Sequence, residues 1–140
     1  MIKYQLDSLS KLLVDPLIYF PWIKQVIQKE NYQTGDIFYH FCSDDFLLNI
    51  NREYLQHAYL TDIITFPLST RPEIISAEIF ISIDRVFENS SILKTPFERE
   101  FARVLVHGVL HLMGYDDHSD AEKLEMRAKE DYYLSLLPQK

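Results

Sequence analysis

Apolar and polar residues alternate in "IKYQL", with Ile2, Tyr4 and Leu6 on one side, and a period of two predicts a strand. In "PWIKQVIQKEN" the spacing becomes helical, with Pro21 in the first turn. Alternation returns at Ile37, Tyr39 and Phe41 of "GDIFYHFC", a second strand. Ser43 followed by Asp44 and Asp45 has the chemistry of a helix start, and that helix is expected to run to about residue 54. "TDIITFPL" and "AEIFISI" are β-branched and aromatic runs on either side of a polar loop, "STRPEIIS", and predict two more strands. A short helix is expected over residues 84–90.

The longest apolar stretch follows, in "TPFEREFARVLVHGVLHLMG". Thr95 with Glu98 reads as a capping box, Pro96 as the first helical residue and Gly114 as the stop. From Val104 to Met113 the only ionisable residues are His107 and His111. A helix that is apolar all round is buried, so these histidines are predicted on a buried central helix. Ser119 with Glu122 forms a second capping box, opening a last helix to about residue 136. No repeat or linker divides residues 1–140. The order of elements predicts one α+β domain, a mixed sheet of about four strands packed with helices.

The chemistry concentrates in "HGVLHLMGYDDH", which holds three of the five histidines. At 3.6 residues per turn His107 and His111 share a helix face. Their imidazoles can meet one metal ion at about 2.0–2.1 Å from each nitrogen. Gly114 lets the chain turn back and brings Asp116, Asp117 or His118 near the same point. Two ligands from a helix and one from the next turn leave a fourth position for water, the pattern of a catalytic zinc site. The plain alternative is a polar network tying the helix to the sheet. Gly108 stands where HExxH hydrolases carry their glutamate base, which argues against a zinc peptidase.

Composition narrows the setting. The 140 residues are 47% hydrophobic, enough for one sizeable core. Cys42 is the only cysteine, which excludes an intrachain disulfide and fits a reducing cytoplasm. No apolar run reaches the roughly 18 residues of a membrane span, and the N-terminus lacks a secretory pattern. The net charge of −7 argues against broad binding to nucleic acid, but leaves room for a local basic groove or for docking to a protein already on RNA.

"HGVLHLMGYD", His107 to Asp116, resembles the signature of the YbeY family, bacterial rRNA maturation factors described as metal-dependent, single-strand-specific endoribonucleases. "LTDIITFP" and "AEIFIS" resemble two further family segments, and the likeness covers about residues 35–135. The resemblance implies a mixed sheet with helices and one zinc ion per chain on His107 and His111. It implies cleavage of single-stranded rRNA in 16S maturation and ribosome quality control, with water on the metal or the RNA 2′-OH as nucleophile. The partners it implies are rRNA and the small ribosomal subunit or one of its proteins, with no membrane and no DNA.

Three departures from the family pattern matter. The third histidine's place holds Asp117, with His118 one further on, so either completes the metal site. The arginine that members carry after a tyrosine is Leu55 here, leaving Arg52 and His57 as the nearby cations. Ala77-Glu78 replaces a Gly-Asp pair. Arg52, Arg103 and Asp62 are the candidate substrate contacts. For Arg103 the alternative is an ion pair with an acid such as Glu100, and for Asp62 a turn cap. Phe66 is read as core and Arg71 as a solvated loop residue. The rival function is a non-catalytic ribosome assembly factor with a structural metal.

Overall fold

The computed structural model describes residues 1–55 and 61–138, so His57 and Leu60 lie outside the described residues. Strands β1 (Ile2–Asp7), β2 (Gln33–Cys42), β3 (Ile63–Pro67) and β4 (Ile74–Ser82) form one sheet in the order β1-β2-β4-β3. The first three neighbours in that order run parallel, and β3 is antiparallel to β4. The helices are α1 (Phe20–Lys29), α2 (Asp44–Leu55), α3 (Ile83–Leu93), α4 (Phe97–Leu112) and α5 (Asp120–Ser135), and a single turn of 3-10 helix, Pro16–Tyr19, leads into α1. This is the single-domain α+β architecture with a four-stranded mixed sheet. Each predicted strand and helix is present within a few residues of its expected ends.

Register sorts the sheet into two faces. Tyr4, Tyr39 and Ile79 stand in one row, and Leu6, Phe41 and Ile81 in the next. With period two these share a face, and they join Trp22, Ile23 and Ile27 of α1 and Phe101, Leu105 and Val109 of α4 in the main core. The other face is smaller: Cys42, Leu47 and Ile64 are buried there, with Phe46, Phe66 and Phe80 packed on them. Phe66 meets Phe80 edge-on at 5.8 Å, in keeping with its core reading.

Helix α4 is buried along most of its length, from Glu100 to Leu110, and the Tyr39 hydroxyl donates to the Leu105 carbonyl at 3.0 Å. The two histidines depart from the dry interior expected of them. Their side chains keep 23% and 38% of their accessible surface, because the face that carries them looks past the end of β3 into a cleft. One predicted cap fails. Lys94 ends α3 in the left-handed region at φ 56°, and the Thr95 amide donates to the Ser90 carbonyl. Thr95 therefore closes α3 instead of opening α4, its hydroxyl is buried without a partner, and Pro96 takes the cap position. The second box, Ser119 with Glu122, forms in both directions.

Candidate metal centre

Helix α4 sets His107 and His111 one turn apart with their rings nearly parallel, 3° between planes and 6.5 Å between centroids. Each ring is held by its Nδ1. That of His107 donates to Glu130 Oε2 on α5 at 2.6 Å, and that of His111 faces the Tyr115 carbonyl at 3.2 Å. With the proton on Nδ1, Nε2 of each ring keeps the lone pair that a metal takes, the tautomer that a carboxylate or carbonyl behind a ligand histidine selects.

Asp117 supplies the nearest third donor, its Oδ2 standing 3.6 Å from His107 Nε2. Bonds of about 2.0–2.1 Å to one tetrahedral ion would put two ligand atoms about 3.4 Å apart. The two atoms are thus spaced as donors sharing an ion. Asp116 approaches the other side of the second ring, Oδ1 at 3.6 Å from His111 Nδ1. His118 lines the same cleft as both rings. Among the described residues, no group of three His, Cys, Asp or Glu side chains is drawn together tightly enough to hold an ion as it stands. The rings account for part of this. Two imidazoles on one tetrahedral ion would have centroids about 5 Å apart, less than the distance here. The donor chemistry fits a divalent cation, and His111 has the distance to close.

Glu130 and its support were not anticipated from the sequence. Its other oxygen accepts from Arg103 Nη1 at 2.9 Å, and Arg103 Nη2 donates to Asp131 at 2.8 Å. The guanidinium also stands 3.9 Å from Glu100. Arg103 is 8% exposed with its fork committed to α5, so it backs the site's wall and has no free edge for substrate. Burial alone would lower the His107 pKa, but the Glu130 bond and the charges of Glu130, Asp62 and Asp117 outweigh it and raise the pKa. Asp62 lies at the entry to β3, and its carboxyl pKa is raised, chiefly by burial and against the pull of His107. One signal for Glu130 was legible: α5 buries Met126, Glu130, Tyr133 and Leu134, and a glutamate within such an apolar stripe calls for a partner.

The cleft has two lobes. The larger, about 420 Å³, is walled by Asn51, Thr61 and Thr65 along with His111 and His118. The smaller, about 260 Å³, lies between α4 and α5. Asp62, His107 and Asp117 line both, so the candidate centre sits where the lobes meet. Arg52 is exposed on α2 and lines neither lobe.

Gly108 explains why no glutamate stands beside His107. A Cβ there would meet Ile63 Cδ1 at 3.0 Å and Ile79 at 3.4 Å, so position 108 faces the sheet and a longer side chain there would have to displace the Ile63 and Ile79 side chains.

A family model described as endoribonuclease YbeY matches residues 12–138. The chain belongs to the YbeY family. Proteins named endoribonuclease YbeY include one from Flavobacterium psychrophilum, 52% identical over 84% of this chain and 84% of its own length. Another, from Amoebophilus asiaticus, is 44% identical over 95% and 90%. The one from Karelsulcia muelleri is 40% identical over 100% and 98%. The solution structure of TM1509 from Thermotoga maritima superposes with a TM-score of 0.67 at 26% identity, covering 98% of this chain and 89% of that one. The YbeY family membership and the mixed-sheet fold thus rest on the whole chain and not on the histidine motif alone. No described helix is long and apolar enough to cross a membrane.

Proposed function

We propose that this chain is a zinc-dependent endoribonuclease that cuts single-stranded rRNA in 16S maturation and ribosome quality control, working in the cytoplasm on the small ribosomal subunit. The observation that carries the reading is the pair of Nδ1-anchored imidazoles beside Asp117, at the junction of an open two-lobed cleft. The relatives named endoribonuclease YbeY supply the reaction class.

His107, His111 and Asp117 would hold the ion. The 3.6 Å edge between His107 and Asp117 favours Asp117 over His118, which is left to the wall of the larger lobe. A bound divalent cation supplies a Lewis acid for the charge that develops on phosphate oxygens. The protein's own groups do the rest. Glu130 keeps the proton on Nδ1 of His107 and so keeps Nε2 free. Asp62, with its raised pKa at the lobes' junction, is the wall carboxylate suited to hold a proton against the RNA. The lobes admit an unpaired strand across the centre, with Thr61 and Thr65 lining one side. A peptidase is disfavoured because position 108 faces the sheet.

The rival, an assembly factor with a structural metal, draws on the net charge of −7. Turnover separates the two. Purified protein with zinc should cut a single-stranded RNA, and His111→Ala should remove cutting while the circular dichroism spectrum is kept. Protein that binds zinc one to one without cutting any RNA would establish the rival.

A further inference from the structure

The cleft's two lobes differ in what they offer a polyanion. Among the described residues, those lining the larger lobe include no lysine or arginine. Arg52, the cation expected nearby from the sequence, is not among them, and Arg103 in the smaller lobe is bound to Glu130 and Asp131. The smaller lobe has two further cations, Lys123 and Arg127, both on α5 and both exposed. They are four residues apart, so they rise from one face of that helix one turn apart. Among the described residues neither side chain has a salt bridge within 4 Å.

Two of the lobe's four acids lie deeper. Glu130 is 4% exposed and already divided between Arg103 and His107, and Glu100 is 5% exposed with its pKa raised, burial being the largest cause. The lobe therefore has an acid-lined floor, suited to a cation, beneath a rim of two exposed positive charges, of which Arg127 feels the Glu100 charge without forming a contact ion pair with it. Among the described residues lining the two lobes, the lysine and arginine side chains outside contact ion pairs lie on the α5 side.

We propose that Lys123 and Arg127 form a backbone-phosphate subsite, holding the RNA strand on the α5 side of the cut. The subsite rests on the endoribonuclease reading above and gives that site the phosphate contact Arg52 does not supply. It also fixes the strand's course, from the larger lobe, whose described lining carries no lysine or arginine, over His107 and Asp117 to the rim of α5. The contacts would be made to the backbone alone, so binding there is indifferent to base sequence.

Fluorescence anisotropy of a labelled single-stranded RNA, titrated over a range of salt concentrations, tests the subsite. The proteins are the wild type, Lys123→Ala/Arg127→Ala, and Lys3→Ala/Lys24→Ala, which makes the same charge change on β1 and α1. Each lost phosphate contact should flatten the plot of log K against log salt by about 0.7, so the α5 pair should flatten it by about 1.4. The control pair should leave the slope unchanged. In cleavage assays the α5 pair should raise KM with kcat kept, as for a contact made equally in ground and transition states. Melting curves for both pairs check that the fold is intact. If the wild type binds and cuts and the α5 pair keeps the wild-type slope and KM, the subsite is refuted and the endoribonuclease reading stands. If the wild type neither binds nor cuts single-stranded RNA, the endoribonuclease reading fails and takes the subsite with it.

Discussion

Glu130 decides what His107 can do. A neutral imidazole without a partner divides its proton between two nitrogens, and only one tautomer leaves Nε2 free for a cation. The 2.6 Å bond to Glu130 selects that tautomer, and Arg103 holds the carboxylate in place. Glu130→Gln keeps an acceptor for the Nδ1 proton but loses the charge, whereas Glu130→Ala loses both. Zinc affinity, measured by competition with a coloured chelator, should fall about 10- to 100-fold in the alanine variant and less in the glutamine one. Long-range proton–nitrogen NMR of metal-free protein should show His107 shifting from one tautomer toward a mixture. Equal affinity in all three proteins would remove Glu130 from the site. The histidine pair was legible in the sequence because a four-residue spacing fixes a shared face at once. Glu130 lies 23 residues beyond His107, and their contact depends on how α4 and α5 cross, which no local spacing encodes.

At the scale of elements, periodicity located the strands and helices because each packs one face on a common core. Strand order was not legible, since parallel β1, β2 and β4 are joined by long connections that leave no local signal of which edges meet. The Thr95 box misled for a related reason: whether a threonine opens one helix or closes another depends on the backbone before it, here the left-handed Lys94. Gly35 is a position where an element depends on a missing side chain. The ladder between β2 and β4 shifts register between Thr34 and Ile37, and a Cβ on Gly35 would lie 2.0 Å from Ser76 Oγ and 3.0 Å from the Ile75 carbonyl. The Ser76 hydroxyl also accepts from the Asp36 amide. Gly35→Ala therefore pushes β2 from β4 and strains that bond, at a cost of about 2–3 kcal/mol in urea unfolding. The candidate metal centre, at the other end of the sheet, should keep its zinc affinity in the folded fraction. A variant as stable as wild type would mean that the bulge absorbs the methyl group.

Across the whole molecule, the loop from Met113 to His118 is pinned from three directions. The Tyr32 hydroxyl donates to the Met113 carbonyl at 3.2 Å. The Tyr115 hydroxyl donates to Glu30 Oε1 at 2.6 Å, while Lys129 and Tyr133 of α5 donate to Glu30 Oε2. Glu30, just past the end of α1, thus ties α1, the loop and α5 together, and the loop carries Asp117 and the carbonyl that orients His111. Burial acts to raise the Glu30 pKa, but the hydrogen bonds from Tyr115, Tyr133 and Lys129 outweigh it and leave the pKa below 4.5. A carboxyl whose folded pKa is depressed stabilises the fold above its unfolded value and loses that contribution as pH falls through the folded value. Glu30→Gln should therefore cost about 1–2 kcal/mol at pH 7, where the wild-type carboxylate is charged. The gap between the variant and wild type should narrow below about pH 4.5, as the wild-type group takes up its proton. Urea unfolding of metal-free protein at pH 7, 5 and 3 measures that gap directly, and a gap that stays constant with pH would mean that the charge on Glu30 is not what holds the loop. Tyr115→Phe removes one donor and keeps the carboxylate, so its smaller loss should follow the same trend with pH. Zinc affinity at pH 7 should fall in both variants, because Asp117 and the Tyr115 carbonyl are held in place by this latch.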